Sequence, residues 1–260
     1  MSKNASVHHE VELKFEAPVG AELPERWPAH LDPEPIQVVQ LEAVYFDTPD
    51  RALAKVGTAV RRRAGGHDAG WHIKTRINET TQEETSWEFC DEIPAGAATH
   101  LNTLVPGSAE RLEVVAEIRT ERKITFLHDQ ATVARYEIAD DAVVATDRTN
   151  GVTRAWREWE IEALTTDHSA LQTLQEALLA AGAARSLADS KIARAAGALI
   201  LRALASGVAA ERIAALAVQD LADRLAAQEL QAGTADVTTS ERNTRIQELR
   251  GIARRIGANK

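Results

Sequence analysis

Cysteine is nearly absent from this chain, since Cys90 is the single cysteine among 260 residues. One cysteine cannot form an intramolecular disulfide, and it cannot build a cysteine-rich zinc site. Because Cys90 follows Phe89 in a predicted strand, we expect it to be a small buried residue.

An excess of positive charge is also lacking. Acidic residues number 39 and basic residues 30, which gives a formal charge of −9. General nucleic-acid binding usually requires a basic surface. We therefore expect no nucleic-acid partner, although a local basic pocket is compatible with this charge balance.

Long apolar runs are missing as well. The sequence has no stretch of about 18 apolar residues, which is the length needed to span a bilayer, so we expect no membrane partner. The polar segment 1–7 lacks the apolar core of a signal peptide. These features predict a soluble cytoplasmic protein.

The sequence divides into two parts in which apolar and polar residues alternate with different periods. Up to about residue 162 short alternating segments predict strands, separated by turn-rich pieces such as Asn150-Gly151. The predicted strands cover 7–15, 36–46, 58–63, 70–76, 85–90, 111–128, 132–138, 143–148 and 152–164. Many short strands with few intervening helices indicate an antiparallel sheet or a closed barrel.

After residue 167 the composition shifts towards alanine, leucine, glutamate and arginine. This pattern predicts helices over 168–181, 187–204, 209–231 and 239–256. We expect one domain over 1–205 and a helical tail over 206–260.

Charged residues alternate along the first predicted strand, Glu10-Val11-Glu12-Leu13-Lys14. Glu10, Glu12 and Lys14 share one face of that strand, because successive side chains point to opposite sides. This face could be an ordinary solvated surface. It could also line a cavity in which carboxylates hold a divalent cation and the lysine meets an anion.

The same alternation recurs on other predicted strands. Charged residues of one parity are Arg61 and Arg63; His72, Lys74 and Arg76; Glu158, Glu160 and Glu162; and Arg111, Glu113, Glu117, Arg119 and Glu121. Like charges on neighbouring strands repel. Arginine and lysine pair with phosphate oxygens, whereas carboxylates suit magnesium or manganese. The rows therefore favour a pocket for a metal-complexed polyanion over a sheet with one solvated charged face.

Six motifs in this order resemble the CYTH domain, the triphosphate tunnel metalloenzyme family. The matching segments are Glu10-Val11-Glu12-Leu13-Lys14, Tyr45-Phe46-Asp47-Thr48-Pro49-Asp50 with Leu53 to Gly57, Val60-Arg61-Arg62-Arg63, Trp71-His72-Ile73-Lys74, Glu158-Trp159-Glu160-Ile161-Glu162 and Ser190-Lys191-Ile192-Ala193-Arg194.

The resemblance implies an α+β fold in which an eight-stranded antiparallel β-barrel forms a tunnel, followed here by a C-terminal helical extension. It implies hydrolysis of triphosphate compounds with Mg²⁺ or Mn²⁺ as cofactor. By position, the expected phosphate-binding residues are Lys14, Arg61, Arg63, Lys74, Arg119, Arg122 and Lys191, and the expected metal ligands are Glu10, Glu12, Glu88, Glu160 and Glu162. Glu12, Glu160 and Lys14 are the expected catalytic residues.

Two segments depart from the family pattern. The family commonly has R-x-E-x-E after W-x-x-K, whereas this chain places Ser86 at one of those positions whether the motif is aligned on 84–88 or on 86–90. Either alignment lacks the arginine and one acid. The segment Ile118-Arg119-Thr120-Glu121-Arg122 also admits more than one register.

The tail segment 246–255 resembles the first helix of a CHAD domain, with Gln247 in the place of the usual histidine. CHAD domains are associated with polyphosphate, so Arg250, Arg254 and Arg255 could contact a polyanion. Alternatively they form the solvated face of a helix that packs on the barrel or on a second subunit, as in a homodimer.

Together these features predict a metal-dependent triphosphatase that acts on inorganic triphosphate or on a nucleoside or thiamine triphosphate. The alternative is a module that binds triphosphate or polyphosphate with little or no turnover, which the departure at Ser86 motivates. Adenylate cyclase activity is a third candidate, but no residue pattern in the sequence indicates an adenine pocket.

Overall fold

The computed structural model describes residues 5–17, 20–28, 30–78, 80–131, 133–232 and 237–258. The strands are β1 (Ser6–Glu16), β2 (Asp32–Pro33), β3 (Gln37–Asp47), β4 (Thr58–Ala64), β5 (Gly70–Arg76), β6 (Thr81–Glu88), β7 (Glu113–His128), β8 (Ala134–Asp147), β9 (Thr153–Ala163) and β10 (Ala184–Arg185). The α-helices are α1 (Ala52–Lys55), α2 (Ala95–Leu104), α3 (Leu171–Ala180), α4 (Lys191–Ala195), α5 (Ala198–Ala205), α6 (Ala210–Ala232) and α7 (Val237–Ala258).

Within the described residues, eight antiparallel strands close into a barrel in the order β1-β6-β5-β4-β3-β7-β8-β9. Closure depends on β1, which pairs with β6 through its first half and with β9 through its second half. The short strands β2 and β10 pair with β7 and β1 outside this ring. The predicted α+β fold with an eight-stranded antiparallel barrel is confirmed.

Most of the apolar core lies outside the barrel, between its wall and the helices. Phe15, Trp159 and Ile161 face outward from β1 and β9 and pack with Leu174 and Leu178 of α3. A second outer cluster joins β4 and β5 to Leu101 of α2. Because the apolar parity faces outward, the charged parity of the same strands must face the barrel interior.

One apolar cluster does lie inside the barrel and fills one end of it. Tyr45, Ile118, Val143 and Trp156 point inward from four strands and meet Ala195 of α4. This plug leaves the rest of the interior to polar side chains, and it fixes α4 beside them.

Two strand predictions are wrong in detail. The segments 132–138 and 143–148 belong to one continuous strand, β8, although Thr132 lies outside the described residues. Asp140 and Asp141 between these segments are poor strand formers, but both are paired with arginines of neighbouring strands, and the strand continues through them. β6 begins at Thr81 rather than at residue 85.

Two further expectations need correction. The helix predicted over 187–204 consists of α4 and α5, because Gly197 between them has a φ of 62°. A Cβ at Gly197 would also collide with the guanidinium of Arg154, so both conformation and space favour glycine there. Cys90 is exposed rather than buried, since it follows the end of β6.

The tail helices pack on the barrel through buried polar contacts. Arg154 of β9 donates to Asp220 of α6 at 2.6 Å, and Arg194 of α4 donates to Asp223 of α6 at 2.7 Å. Arg250 of α7 donates to the Ala155 carbonyl at 3.0 Å. The domain boundary after residue 205 and the likeness of the tail to a CHAD domain stay predictions. None of the described helices combines the length and apolar character needed to cross a bilayer.

Candidate active site

A polar cavity of about 320 Å³ occupies the barrel interior beside the apolar plug. Every barrel strand except β8 contributes at least two lining side chains, and β8 contributes Glu137. The charged and hydrogen-bonding residues that line the cavity are His8, Glu10, Glu12, Lys14, Tyr45, Arg61, Arg63, His67, Asp68, His72, Lys74, Gln82, Ser86, Thr120, Arg122, Glu137, Glu160, Glu162, Ser190 and Lys191.

The Lys14 ammonium lies between carboxylates of two adjacent strands. Lys14 is paired directly opposite Glu160 in the β1–β9 ladder. Its ammonium donates to Glu160 and, at 3.0 Å, to Glu12 on its own strand. Burial would lower the pKa of Lys14, but the two carboxylates raise it well above its ordinary value. Lys14 is therefore charged at neutral pH.

A second cluster surrounds Lys191, which enters the barrel from the first turn of α4. Its ammonium lies 2.9 Å from Asp141, 2.6 Å from Glu158 and 2.7 Å from Glu160. Burial opposes charge here, but Asp141 and the two glutamates raise the pKa of Lys191. One ammonium thus holds three buried carboxylates together.

Arg122 completes this side of the tunnel. Its guanidinium donates to both oxygens of Asp141, at 2.7 and 2.6 Å, to Glu160 at 2.7 Å and to Glu137 at 3.1 Å. Although burial raises the pKa of Glu160, the cations Lys14, Lys191 and Arg122 lower it well below its ordinary value.

The opposite wall has its own carboxylate pair, Glu10 and Glu84. The Lys74 ammonium donates to Glu10 and lies 3.6 Å from Glu84, while His8 Nε2 lies 3.3 Å from Glu10 and 3.2 Å from Glu84. Glu84 also meets His72 Nδ1 at 2.8 Å. Burial would raise the pKa of Glu84, but Lys74, the hydrogen bond with His72 and the charge of Arg61 lower it.

Two arginines on β4 have few carboxylate partners. Arg61 lies 3.5 Å from Glu84, and Arg63 contacts Asp68. Burial, together with the positive charges of Arg61 and Arg122, lowers the pKa of Arg63 to about 9. An anion beside Arg61 and Arg63 would relieve this repulsion, because arginine pairs readily with phosphate oxygens.

Glu10 and Glu162 lie where negative charge is in excess, in contrast to the excess of positive charge around Arg63. Burial raises the pKa of Glu162 to about 8, and the negative charges of Glu10, Glu137 and Glu12 add to that rise. Burial also raises the pKa of Glu10 against the effect of Lys74. A cation near these carboxylates would stabilise their charged forms.

The carboxylate oxygens suit a hard divalent cation. In one cluster, ligand atoms of Asp141, Glu158 and Glu160 all lie within 4.8 Å of one another; His8, Glu10 and Glu84 form a second cluster of the same kind. Magnesium and manganese prefer oxygen ligands. The acidic residues therefore fit such a metal, in agreement with the excess of negative charge around Glu162.

Most of the site residues expected from the sequence meet in this one cavity. They are Glu10, Glu12, Lys14, Arg61, Arg63, Lys74, Arg122, Glu160, Glu162 and Lys191. Their roles in phosphate binding, metal binding and catalysis stay predictions.

Two of the expected residues lie elsewhere. The Arg119 side chain is 80% exposed on the outer face of β7 and pairs with Glu42, because the inward parity of that strand belongs to Thr120 and Arg122. Glu88 shares the inward parity of β6 but stands at its last residue, where it is exposed and does not line the cavity. The structure thus contradicts the placement of Arg119 and Glu88 in the tunnel.

The sequence-based site omitted several residues that line the cavity or pair with its lining. Glu84 belongs to a motif of uncertain register, and its parity with Lys74 across the β5–β6 ladder is the signal that identifies it. Asp141 falls in the gap between the two segments predicted as separate strands, which are both part of β8. Glu158 belongs to the acidic row of β9 and shares the parity of Glu160.

Comparison with known proteins gives a family match over most of the chain. The family model for the CYTH domain matches residues 8–196. Two curated proteins of Mycobacterium tuberculosis, the uncharacterized proteins MT2285 and Rv2226, are each 35% identical over 210 residues, or 74% of this chain. The chain spans only 40% of the length of these relatives.

Solved structures are more distant. A Bacillus halodurans protein with a provisional assignment as an adenylate cyclase is 18% identical, with a TM-score of 0.49 over 72% of this chain and 97% of its own. HpAC1 from Hippeastrum, for which a dominant triphosphatase activity is described, is 17% identical, with a TM-score of 0.41 over 77% of this chain and 97% of its own.

Proposed function

This chain belongs to the CYTH domain family, and we propose that it is a metal-dependent triphosphatase that hydrolyses inorganic triphosphate or a nucleoside or thiamine triphosphate in the barrel. The observation that carries this proposal is the barrel cavity in which cations and carboxylates from six strands and α4 interleave. A metal-complexed polyphosphate can satisfy both sets of charges, whereas a simple anion or a neutral ligand satisfies at most one.

The phosphate groups are proposed to bind the cationic side chains. Arg61 and Arg63 have the fewest carboxylate partners, so they offer the most accessible positive charge for phosphate oxygens. Lys14, Lys74, Arg122 and Lys191 would contribute further contacts as they exchange carboxylate partners for phosphate. Charge spread over the transferred phosphoryl group is stabilised by such fixed cations.

Glu10, Glu12, Glu160 and Glu162 are proposed as the metal ligands. A bound Mg²⁺ or Mn²⁺ would neutralise phosphate charge and make a bound water more acidic. Glu12 contacts Lys14 and Gln82 and is buried beside Glu160, so it is placed both to hold a cation and to orient Lys14.

Hydrolysis of a phosphoanhydride then requires one proton transfer and one bond cleavage. Water attacks the terminal phosphorus and forms a new P–O bond, the bridging P–O bond breaks, and the departing diphosphate keeps the bridging oxygen and takes the electron pair, while the terminal group becomes orthophosphate. The proton of the water passes to a carboxylate, and Glu12 or Glu160 is proposed for that step. Lys14 stabilises the developing negative charge.

A binding module with little turnover is the second candidate. Its support is Ser86, a hydroxyl that faces the cavity where an acid would be expected. A further reason is that Lys14, Lys74, Arg122 and Lys191 are already bonded to carboxylates. Such a module would hold triphosphate or polyphosphate without the full ligand set for catalysis.

Phosphate release separates the two candidates. Inorganic triphosphate, ATP and thiamine triphosphate are incubated with the protein, with Mg²⁺, with Mn²⁺ and with a chelator. Metal-dependent release supports the enzyme, and saturable binding without release under any metal supports the binding module. The matched control is Glu42→Gln, which removes a carboxylate that is 69% exposed on the outer surface and should leave turnover unchanged.

A homodimer is a further proposal about partners. Its support is the set of exposed leucines on α5 and α6, namely Leu201, Leu204, Leu221 and Leu230. Sedimentation of the full chain at several concentrations tests it.

A further inference from the structure

Lys191 reaches the tunnel from α4, a helix of only five residues. A helix this short is not stable by itself, because forming the first turn costs more than its hydrogen bonds return. Ser190 caps it by accepting a hydrogen bond from the Ala193 N–H at 3.3 Å, and Ala195 lies in the apolar plug. The contacts that α4 makes with the rest of the molecule therefore decide where the Lys191 ammonium lies.

Arg194, one turn after Lys191, anchors α4 with four hydrogen bonds. Its guanidinium donates to both oxygens of Asp223, at 2.7 and 3.0 Å, and to both oxygens of Glu16, at 2.7 and 3.1 Å. The side chain is 2% exposed and lies 4.7 Å from the centroid of the Trp156 ring. Because bidentate pairs fix the orientation of a guanidinium as well as its position, Arg194 holds α4 in one orientation.

The same anchor adjoins the carboxylates that bind Lys191. Glu158 lies 2.6 Å from the Lys191 ammonium through one oxygen and 3.9 Å from the Arg194 guanidinium through the other. Residues three positions apart are neighbours on a helix surface. A shift of Arg194 would therefore displace α4 and carry Lys191 away from its place in the tunnel.

One half of the anchor comes from α6, which lies beyond the part of the chain that matches the family model. That match ends at residue 196. Asp223 of α6 is buried, and Arg250 of α7 is a second cation near it, at 3.6 Å. Gln219, one turn earlier on α6, donates to Glu16 at 2.7 Å. The tail helix thus supplies one carboxylate to Arg194 and holds the other.

Other polar contacts hold the two ends of α4. Asp189 precedes the helix and pairs with Arg76 and Arg202, and Arg154 donates to the Ala195 carbonyl at 2.8 Å. These contacts do not replace Asp223, because its loss would leave a buried guanidinium without two of its four hydrogen bonds. A buried charge that loses a partner is strongly destabilised where it lies.

We propose that Asp223 is a positioning residue for Lys191: through Arg194, the tail helix α6 sets the place of the Lys191 ammonium in the tunnel. The proposal rests on the proposed function, because it takes Lys191 to contact phosphate. It makes the helical tail a working part of the site, although the tail lies outside the barrel. The contrasting interpretation is that Asp223 stabilises the fold without influence on Lys191.

A double-mutant cycle on the full chain distinguishes the two interpretations. The proteins are wild type, Asp223→Asn, Lys191→Met and the variant with both changes. Calorimetry gives the Kd of each for inorganic triphosphate without metal, at a temperature where thermal melts show all four to be folded. The matched control is Arg224→Gln, which changes the next residue on α6, an exposed side chain paired with Asp220 at 3.5 Å; it should bind triphosphate as wild type does.

We expect Lys191→Met to weaken triphosphate binding about tenfold or more, as for the loss of one hydrogen bond to a charged group. Asp223→Asn alone should weaken it by about threefold or more, whereas in the Lys191→Met background it should change the Kd by less than about 1.5-fold, because the side chain through which it acts is gone. The inference is overturned if the two effects multiply in the double variant, or if Asp223→Asn binds triphosphate as tightly as wild type.

Turnover with Mg²⁺ or Mn²⁺ gives a second readout. A misplaced Lys191 should raise the KM for triphosphate, whereas partial unfolding reduces the number of active molecules and so lowers kcat at unchanged KM. The second pattern would contradict a positioning role. If Asp223→Asn does not fold, Asp223→Glu takes its place in the same cycle, because it keeps the charge on a longer side chain and shifts Arg194.

Failure of the proposed function has a different signature. If triphosphate binds but is not cleaved with any metal, the enzyme proposal fails, while the binding cycle still measures the link between Asp223 and Lys191. If triphosphate is cleaved and the two effects multiply, only the positioning role fails. If the wild-type protein binds no triphosphate, both proposals fail.

Discussion

Replacement of Lys191 by methionine tests whether the buried carboxylates around it form a cation site. Its ammonium is within 2.6–2.9 Å of Asp141, Glu158 and Glu160, and the side chain is only 13% exposed. Methionine keeps most of the apolar stem and removes the charge. Asp141 and Glu160 retain Arg122, whereas Glu158 retains the Trp156 N–H at 2.8 Å and a distant Arg194 at 3.9 Å.

The size of the effect follows from burial. Removal of one partner from a buried ion pair costs about 3–5 kcal/mol. With an unfolding entropy of roughly 2.1 cal/mol/K per residue, a chain of 260 residues should lose about 6–9 °C in Tm. Thermal unfolding of Lys191→Met in a chelator measures this loss. Lys123→Met, on the exposed outer face of β7, is the matched control and should melt within about 1 °C of wild type, because surface substitutions are nearly neutral.

Divalent cations should reverse much of the loss. A metal present at a hundred times its Kd stabilises the folded state by about 2.7 kcal/mol. In Lys191→Met the Lys191 ammonium no longer competes for the three carboxylates, and of the ammonium groups only that of Lys14 still contacts one of them, Glu160. Mg²⁺ or Mn²⁺ should therefore raise its Tm by several degrees more than it raises that of wild type. Equal melting of wild type and variant in chelator would refute the stabilising role of Lys191, and an equal response to metal would refute the capacity of these three carboxylates to hold a cation.

Three other substitutions probe separate parts of the tunnel, and a fourth, Arg119→Ala on the outer face of β7, is the control for one of them. Glu12→Gln should abolish metal-dependent phosphate release, as measured by a colorimetric phosphate assay, while circular dichroism stays that of wild type; unchanged turnover would contradict its proposed role. Because burial raises the pKa of Glu162 from 4.5 to about 8, its contribution to stability is full below pH 4.5 and is lost as pH rises towards 8. In a chelator the slope should approach about 1.4 kcal/mol per pH unit at most, and Glu162→Gln should flatten the Tm profile; a profile as steep as wild type would exclude this cause. Arg122→Ala should raise the KM for triphosphate at least tenfold and Arg119→Ala should leave it unchanged, whereas equal kinetics would contradict their placement on opposite faces of β7.

The barrel could be predicted because its local signal is strong. Alternation of charged and apolar residues along Glu10 to Lys14 and along Glu158 to Glu162 gives the strand period directly. What alternation cannot give is which face is the interior. In most sheets the apolar face is inside. In this barrel the apolar face is on the outside, where the helices α2 and α3 cover it. Among the sequence signals, only the order of the motifs along the chain indicated that arrangement.

The errors in the site have two physical origins. Arg119 and Arg122 differ by three positions, so only one can face the tunnel, and the neighbours in the β3–β7 ladder decide which; Arg119 is opposite Glu42 on the outer face. Asp141 was missed because local propensity opposes aspartate in a strand. Tertiary pairing with Arg122 and Lys191 overrides that propensity.

The paired charges of the tunnel constrain how a ligand can enter. Three ammonium groups lie beside carboxylates, where a divalent cation would also be stable: those of Lys14, Lys74 and Lys191. The same carboxylates lie beside these cations, where phosphate oxygens would also be stable. A metal alone would leave buried ammonium groups without partners, and a phosphate chain alone would leave buried carboxylates without partners; either state is costly in a low-dielectric interior. A metal-complexed phosphate chain exchanges both sets of partners together. Under the proposed function, these paired charges therefore predict that metal and polyanion enter the tunnel together.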